Sequence, residues 1–210
     1  MYALMFDIHV NQGGSDAAAL LIASLFESDS FLGFTEHAVG RDSDAVKALV
    51  DPSETAYNII VVMIISGCTY SVVETLPMTM MQFPQTILLV RNTGGLYSEL
   101  PKSLPNGWAF SLFSEVCLSS DGIDYDNVGI PPDILPPAEL LPLSEREGGI
   151  DSWLELALKT VNDTLSNGTN DIPLDLPILG TDPNYVSTGL IVVRSSIIRA
   201  VALLLPFYLL

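Results

Sequence analysis

The order of apolar and polar residues predicts a domain in which buried strands alternate with helices. Residues 2–9 and 57–65 are apolar runs of strand length, and a break that contains glycine follows each run. Residues 15–26 and 72–80 instead place apolar side chains at helical spacing. Because strand, turn and helix recur in this order, the pattern predicts an α/β layered domain with crossover connections.

Shorter elements are predicted around these two units. Residues 31–39 and 86–90 have the composition of further strands. Pro77 should bend the second helix or end it early, because proline removes a backbone donor. The pattern also predicts a polar surface excursion at 41–55, a loop at 91–107, a half-exposed strand at 108–118 and an amphipathic helix at 150–165.

Ser71 lies where the second buried strand gives way to a helix. A residue at such a place is close to unpaired backbone N–H groups and to the positive end of the helix dipole. The residues alone leave two interpretations of its hydroxyl open. It is either a nucleophile whose developing oxyanion meets preformed donors, or a plain N-cap, which is what most serines before helices are.

Composition narrows the classes of function. Eight Lys and Arg residues against 25 Asp and Glu residues give a formal net charge of −17. Nucleic acid and anionic lipid both attract clustered cations, so this charge argues against both as partners. Cys68 and Cys117 are too few for a disulfide scaffold, and we expect free, buried thiols. His9 and His37 are the only histidines, so no cluster has metal-ligand spacing and no metal or cofactor is predicted.

The two ends of the chain carry separate expectations. Residues 1–8 are apolar with no basic segment before them, so they resemble a strand already under way rather than a secretory signal. We therefore expect the chain to begin in the middle of a domain. Residues 190–210 are apolar but include Arg194 and Arg199. Three interpretations of this tail stay open: a lipid-anchor signal, a membrane helix or neither.

Several short motifs, in their order along the chain, resemble a known family. They are residues 6–15 (FDIHVNQGGS), 69–74 (TYSVVE), 92–95 (NTGG), 104–108 (LPNGW) and 128–134 (VGIPPDI). The family is that of the tail-specific, or C-terminal-processing, serine peptidases. The first two motifs resemble its Asp-Leu-Arg-x-Asn-x-Gly-Gly signature and its nucleophile motif, Thr-x-Ser-Ala-x-Glu. The other three resemble the Gly-rich loop that follows, the closing strand and the Glu-Gly-Val-Gly-Ile-x-Pro-Asp ending. This family also includes the tricorn core protease and the interphotoreceptor retinoid-binding protein.

The resemblance implies a fold and a division of the chain. The fold is a crotonase-like or Clp-like α/β core of stacked β-β-α units, incomplete at its N-terminus and followed by a hydrophobic C-terminal tail. Residues 1–158 would be the C-terminal part of the catalytic domain, residues 159–186 a polar linker and residues 187–210 the tail. Asn162 and Asn167 begin glycosylation sequons, and with the tail they favour an extracellular or membrane-associated location.

The resemblance also implies which residues form the site. Ser71 would be the nucleophile. The backbone N–H groups of Gly13, Gly14 and Val72 would form the oxyanion hole, since glycine permits close backbone approach. Asp126 falls where relatives with a Ser-His-Glu relay carry a glutamate, so it would orient a histidine base as the third member of a triad. The alternative for Asp126 is an acid in a turn.

The departures from the family pattern concern the general base. Relatives with a Ser-Lys dyad carry a lysine where this chain has Leu96, and relatives with a histidine base carry it upstream of the first strand. Arg91 replaces an acidic residue, and His9 replaces the arginine of the first signature. A structural role is expected for His9, on a buried strand. Without a base a serine hydroxyl is a poor nucleophile, so the chain is either a fragment of a working peptidase or a degenerate relative.

Two functions are predicted from this resemblance. The first is a serine-type endopeptidase that cleaves flexible peptides or protein C-terminal ends by acyl transfer through Ser71, with no cofactor. Its partner would be a peptide or unfolded protein, with membrane attachment through the tail. The second is a non-catalytic domain that binds a ligand or peptide in the same cleft.

Overall fold

The computed structural model of the chain describes residues 3–41, 44–54, 56–97, 100–136, 151–168 and 190–194. In chain order its strands and helices are β1 (Ala3–Asp7), α1 (Asp16–Ala23), β2 (Phe31–Ala38), β3 (Val46–Val50), β4 (Ile60–Ile65), α2 (Thr75–Met80), β5 (Thr86–Val90), β6 (Leu100–Ser103), β7 (Ala109–Leu112), β8 (Glu115–Ser119), α3 (Ser152–Gly168) and β9 (Leu190–Arg194). Short 3₁₀ helices, Ser24–Phe26 and Ser71–Glu74, follow α1 and precede α2.

A parallel sheet in the order β5-β4-β1-β9 forms the centre of the fold. Ala3 of β1 lies opposite Ile60 of β4, and Val61 of β4 lies opposite Thr86 of β5. The strands β1 and β4 are almost fully buried, which explains their continuous apolar sequences: strands of a parallel sheet are covered on both faces. The predicted α/β class is confirmed.

The sheet separates two apolar cores. Leu4 and Phe6 of β1 belong to the core that α1 and α2 cover, whereas Ala3 and Met5 belong to the core that α3 covers. This division follows from the period of two along a strand, which sends successive side chains to opposite faces. Because β1 and β4 are parallel neighbours, the loops that follow them leave the sheet at the same end, beside the starts of α1 and α2.

A second sheet, β3-β2-β8, is antiparallel and packs over α1 and α2. Phe34 of β2 is buried in the larger core. Gly33 permits the close approach, since a Cβ on it would lie 3.1 Å from Leu20 Cδ2 and 3.2 Å from Thr79 Oγ1. The strands β6 and β7 form a separate antiparallel hairpin.

Three predicted segments differ from the structure. The excursion predicted at 41–55 contains β3, which the polar sequence hides because only its end, Val50, is fully buried. The loop predicted at 91–107 contains β6. The strand predicted at 108–118 is two strands, β7 and β8. The helix with Pro77 was predicted to bend or to end early, but α2 continues through Pro77 to Met80, the end of the predicted helical range. Pro77 is the third residue of α2, in the first turn, where a helix tolerates proline.

The C-terminal part also departs from the expected division. Helix α3 runs to Gly168, so residues 159–168 of the predicted linker are helical. Val161 and Leu165 explain this, because they continue the apolar stripe that packs against the central sheet. Five residues of the predicted tail form β9, parallel to β1. The other tail residues lie outside the described ranges, and within those ranges no helix is both long enough and apolar enough to cross a membrane.

Candidate active site

The turn between β4 and α2 is attached to the end of β1. Ser66 Oγ donates a hydrogen bond to the carbonyl of His9, and Thr69 Oγ1 donates one to the carbonyl of Ile8 over 2.8 Å. Thr69 Oγ1 also accepts the N–H of Ser66 over 3.1 Å, and the Thr69 side chain is fully buried. These bonds fix the path of the chain as it approaches Ser71.

Ser71 occupies a backbone conformation that is uncommon for serine. Its φ is +65°, in the left-handed region, and it begins a 3₁₀ helix. Its N–H donates to the carbonyl of Leu96. Its side chain is half-buried, and within the described residues its Oγ makes no hydrogen bond. The cap position belongs to Tyr70, so the geometry differs from that of a plain serine N-cap.

The double-glycine turn lies against Ser71. A Cβ built on Gly13 would be 3.5 Å from both Cβ and Oγ of Ser71, and the φ of Gly13 is +138°. The carbonyl of Asn11 accepts the N–H of Tyr70 over 3.3 Å, which joins the two turns. The structure therefore brings the predicted glycine turn and the predicted nucleophile together.

The predicted oxyanion donors are not equivalent. The N–H of Gly13 donates to Asn11 Oδ1 over 3.1 Å. Within the described residues, the N–H groups of Gly14 and Val72 have no acceptor. Val72 is the second residue of the 3₁₀ helix, where backbone donors have no partner within the helix. In this conformation Gly14 and Val72 are the available donors, and Gly13 contributes space beside Ser71.

Sequence reasoning did not single out Glu74, whose side chain is fully buried three residues after Ser71. Its Oε1 accepts the N–H of Gly95 over 2.8 Å, and its Oε2 accepts the N–H of Leu96 over 2.9 Å. The Thr93 side chain also hydrogen-bonds this carboxylate. Burial raises the pKa of Glu74, whereas these three donors act in the opposite direction. The glutamate of the nucleophile motif was the available signal.

The Gly-rich loop at 93–96 is held on both sides. On one side Gly94 donates its N–H to Thr69 over 2.8 Å, and a Cβ on Gly94 would lie 2.7 Å from Tyr70 Cβ. On the other side Asn127 donates its N–H to Gly95 over 2.8 Å, and Gly129 packs directly on Thr93. We call the segments 69–74, 93–96 and 125–130 together the elbow network.

Asp126 belongs to the elbow network but has no hydrogen bond to Ser71. Its Oδ2 accepts from the Asn127 side chain over 3.0 Å, and its N–H donates to Asp124 Oδ1 over 2.8 Å. Partial burial and then the charge of Asp124 raise the pKa of Asp126. These contacts are those of a turn acid, the alternative interpretation, and its role in a triad stays a prediction.

The structure gives His9 a packing role. Its Nδ1 contacts the Asp7 carboxylate, and its ring meets the edge of Trp153 at a centroid distance of 5.0 Å. Trp153 belongs to α3, which covers the face of the sheet opposite α1 and α2. Within the described residues, no histidine or lysine is hydrogen-bonded to Ser71.

The remaining reactive side chains are the possible metal ligands and the two thiols. Within the described ranges, no group of three or more His, Cys, Asp or Glu side chains has the arrangement of a metal site. Both cysteines are free, as expected, but only Cys117 is buried. Cys68 is exposed because it lies in the turn after β4, so the expectation of two buried thiols was wrong for this residue.

Comparison with known proteins places the chain in a family. The model of peptidase family S41 matches residues 1–135, which is more than half of the chain. The protein therefore belongs to peptidase family S41, and the resemblance to tail-specific peptidases is confirmed. A comparison with curated protein sequences gives no significant match.

Solved structures agree on the fold. A candidate peptidase from Parabacteroides merdae has a TM-score of 0.66 at 23% identity, over 80% of this chain and 54% of that one. The photosystem II D1 C-terminal processing protease has a TM-score of 0.53 at 20% identity, over 73% of this chain and 40% of that one. The tricorn protease has a TM-score of 0.52 at 18% identity, over 79% of this chain and 15% of that one. The chain thus spans about half the length of the first of these structures, and less of the other two.

Proposed function

We propose that the protein is a serine-type peptidase that cleaves flexible peptides or protein C-terminal ends through Ser71. The observation that carries this proposal is the close approach of the Gly13 turn to Ser71, whose Oγ is free in a left-handed elbow, together with N–H donors at Gly14 and Val72. Strained backbone of this kind clusters at active sites. Similar structures include a C-terminal processing protease and mature CPAF complexed with lactacystin, which adds support from the family.

The proposed chemistry is acyl transfer. Ser71 Oγ bonds to the carbonyl carbon of the peptide and loses its proton to a base, and the carbonyl π electrons move to the oxygen. The N–H groups of Gly14 and Val72 stabilise that oxyanion. The C–N bond then breaks as the amine takes up a proton, and water hydrolyses the acyl ester. Asp126 would orient a histidine base, and among the described residues no histidine is hydrogen-bonded to Ser71.

A specific observation favours the second candidate, a non-catalytic domain that binds a ligand or peptide in the same cleft. Within the described residues no base is hydrogen-bonded to Ser71, and the ring of His9 is engaged with Asp7 and Trp153. A serine without a base reacts slowly, because its hydroxyl stays protonated.

A fluorophosphonate probe separates the two candidates, because it reacts with an activated serine. We expect the full chain to be labelled at Ser71, as located by peptide mass spectrometry. The Ser71→Ala variant should lose all labelling and all peptide hydrolysis at nearly unchanged stability. Ser119→Ala is the matched control, because Ser119 is also a described serine but lies in β8. It should be labelled as fast as the wild type.

The outcomes decide between peptidase and binding domain. Labelling no faster than that of free serine would reject the peptidase and favour the binding domain. Hydrolysis that survives Ser71→Ala would reject Ser71 as the nucleophile.

The proposed membrane attachment concerns the tail. Its support is the apolar sequence of residues 187–210. Expression of the whole chain and of a variant that ends at residue 194, which keeps β9, followed by separation of membrane and soluble fractions, tests it. Equal partition of the two proteins would reject attachment through the tail.

A further inference from the structure

Glu74 and Ser71 are joined by a closed ring of bonds. Ser71 donates its N–H to the carbonyl of Leu96, and Leu96 donates its N–H to Glu74 Oε2 over 2.9 Å. The 3₁₀ helix Ser71–Glu74 closes the ring, because residues three apart lie on one side of such a helix. The conformation of Ser71 and the contacts of Glu74 therefore depend on each other.

The donors around Glu74 are arranged for an anionic acceptor. Gly95 and Leu96 each present a backbone N–H, which can only donate. Thr93 Oγ1 accepts the N–H of Ile130 over 2.7 Å, so its own proton is available for Glu74. Hydrogen bonds to a charged group are the stronger kind, and removal of the acceptor leaves buried donors unsatisfied.

Ser71 needs such a restraint. A non-glycine residue pays a conformational cost in the left-handed region and persists there only when its surroundings enforce it. The restraint acts at the Leu96 carbonyl, which must point at the Ser71 N–H. Two adjacent N–H groups held by one carboxylate fix the orientation of that peptide segment.

We propose that Glu74 is a positioning residue: its buried carboxylate orients Gly95 and Leu96 so that Leu96 holds the Ser71 backbone in its left-handed conformation. The consequence for catalysis rests on the proposed peptidase function, whereas the restraint on Ser71 does not. Glu74 touches no reacting atom in this scheme. Its effect reaches the nucleophile through Leu96.

Amide hydrogen exchange of the full chain, followed by NMR, tests the restraint without any activity. In Glu74→Ala the amides of Ser71, Gly95 and Leu96 should exchange about ten- to a hundredfold faster. Amides of β4 serve as the internal reference for global opening. Glu74→Gln keeps one oxygen acceptor but places an NH₂ donor opposite an N–H, so its effect should be intermediate.

Thr79→Val is the matched control. Thr79 is fully buried in α2 and donates to the carbonyl of Thr75 over 2.7 Å, outside the ring. This variant should leave the exchange of Ser71 and Leu96 unchanged relative to β4. Fluorophosphonate labelling forms the second arm, in which Glu74→Gln should slow the labelling of Ser71 about tenfold.

Each outcome decides something about Glu74. Exchange of the Ser71 and Leu96 amides at the wild-type rate in Glu74→Ala overturns the proposal, and so does wild-type labelling in Glu74→Gln once exchange has increased. Failure of both variants to fold also overturns it, since Glu74 would then be required for folding as a whole. If wild-type Ser71 is never labelled, the peptidase function fails while the exchange arm still decides the restraint.

Discussion

The elbow network and the second sheet contain similar residues in opposite settings. Each has a glutamate that is shielded from water: Glu74 in the elbow network is fully buried, whereas Glu36 on β2 is half-buried. Each has a glycine with a φ of +76°: Gly129 in the network and Gly40 just after β2. In the elbow network, Glu74 and Gly129 each contact backbone from a distant part of the chain. In the second sheet, within the described part of the chain, the Glu36 carboxylate accepts no backbone hydrogen bond and Gly40 has no such contact.

The two glutamates illustrate the difference. Glu74 accepts backbone N–H groups through both oxygens, so its burial fixes structure. Within the described residues the Glu36 carboxylate accepts no hydrogen bond. Burial, followed by the charges of Asp16 and Glu115, raises the pKa of Glu36 to about 7. A shielded carboxylate that accepts backbone N–H groups holds the surrounding backbone in place. One that lacks such donors has a raised pKa, and the stability of the protein then depends on pH.

The largest expected effect is that of Gly129→Ala. A Cβ on Gly129 would lie 2.1 Å from the Thr93 carbonyl oxygen, so the elbow network must open to admit it. We expect a loss of about 3–5 kcal/mol in the free energy of unfolding, from overpacking together with the left-handed conformation. Urea denaturation followed by circular dichroism measures it.

Gly40→Ala is the control for this clash. Gly40 has the same φ, but no atom lies within 4 Å of a Cβ built on it. Its substitution should cost about 1 kcal/mol, the conformational part alone. Equal losses in the two variants would mean that the packing of Gly129 on Thr93 contributes nothing to the difference between the regions.

A smaller effect, dependent on pH, is expected for Glu36→Gln. Because the pKa of Glu36 is raised from 4.5 to about 7, its contribution to stability is fully present below pH 4.5 and is lost as the pH rises through 7. Glutamine should therefore stabilise the protein by about 1–2 kcal/mol near pH 8, after allowance for solvent screening, and have little effect near pH 4. Urea denaturation at both pH values measures this difference.

Glu54→Gln, at an exposed position, is the control for the removal of one negative charge. It should show the same small effect at both pH values. A Glu36→Gln variant that is no more stable than the wild type near pH 8 would contradict the view that the half-buried Glu36 carboxylate lacks compensating hydrogen bonds.

The same contrast explains how much the sequence could predict. Strands β1, β4 and β5 were predictable because burial on both faces leaves a continuous apolar run. Strand β3 was not, since Val46 and Leu49 are exposed and only its end reaches the core. The glycine turn and Ser71 were predictable from motifs, but the φ of Ser71 and the bonds of Glu74 arise from contacts with residues more than twenty positions away, which no local pattern encodes.

The smallest expected effect separates the backbone strain of Ser71 from its chemistry. Ser71→Gly and Ser71→Ala both remove the hydroxyl, so neither should react with the probe. Glycine has no penalty in the left-handed region, and after its greater freedom in the unfolded chain is counted, Ser71→Gly should be about 0.5–1 kcal/mol more stable than Ser71→Ala. At Ser119, in an extended strand, the same pair should have the opposite order. Equal stabilities of the two Ser71 variants would show that Ser71 adopts its left-handed conformation without conformational cost. That result would contradict the claim that the Ser71 backbone is strained like that of other active-site residues.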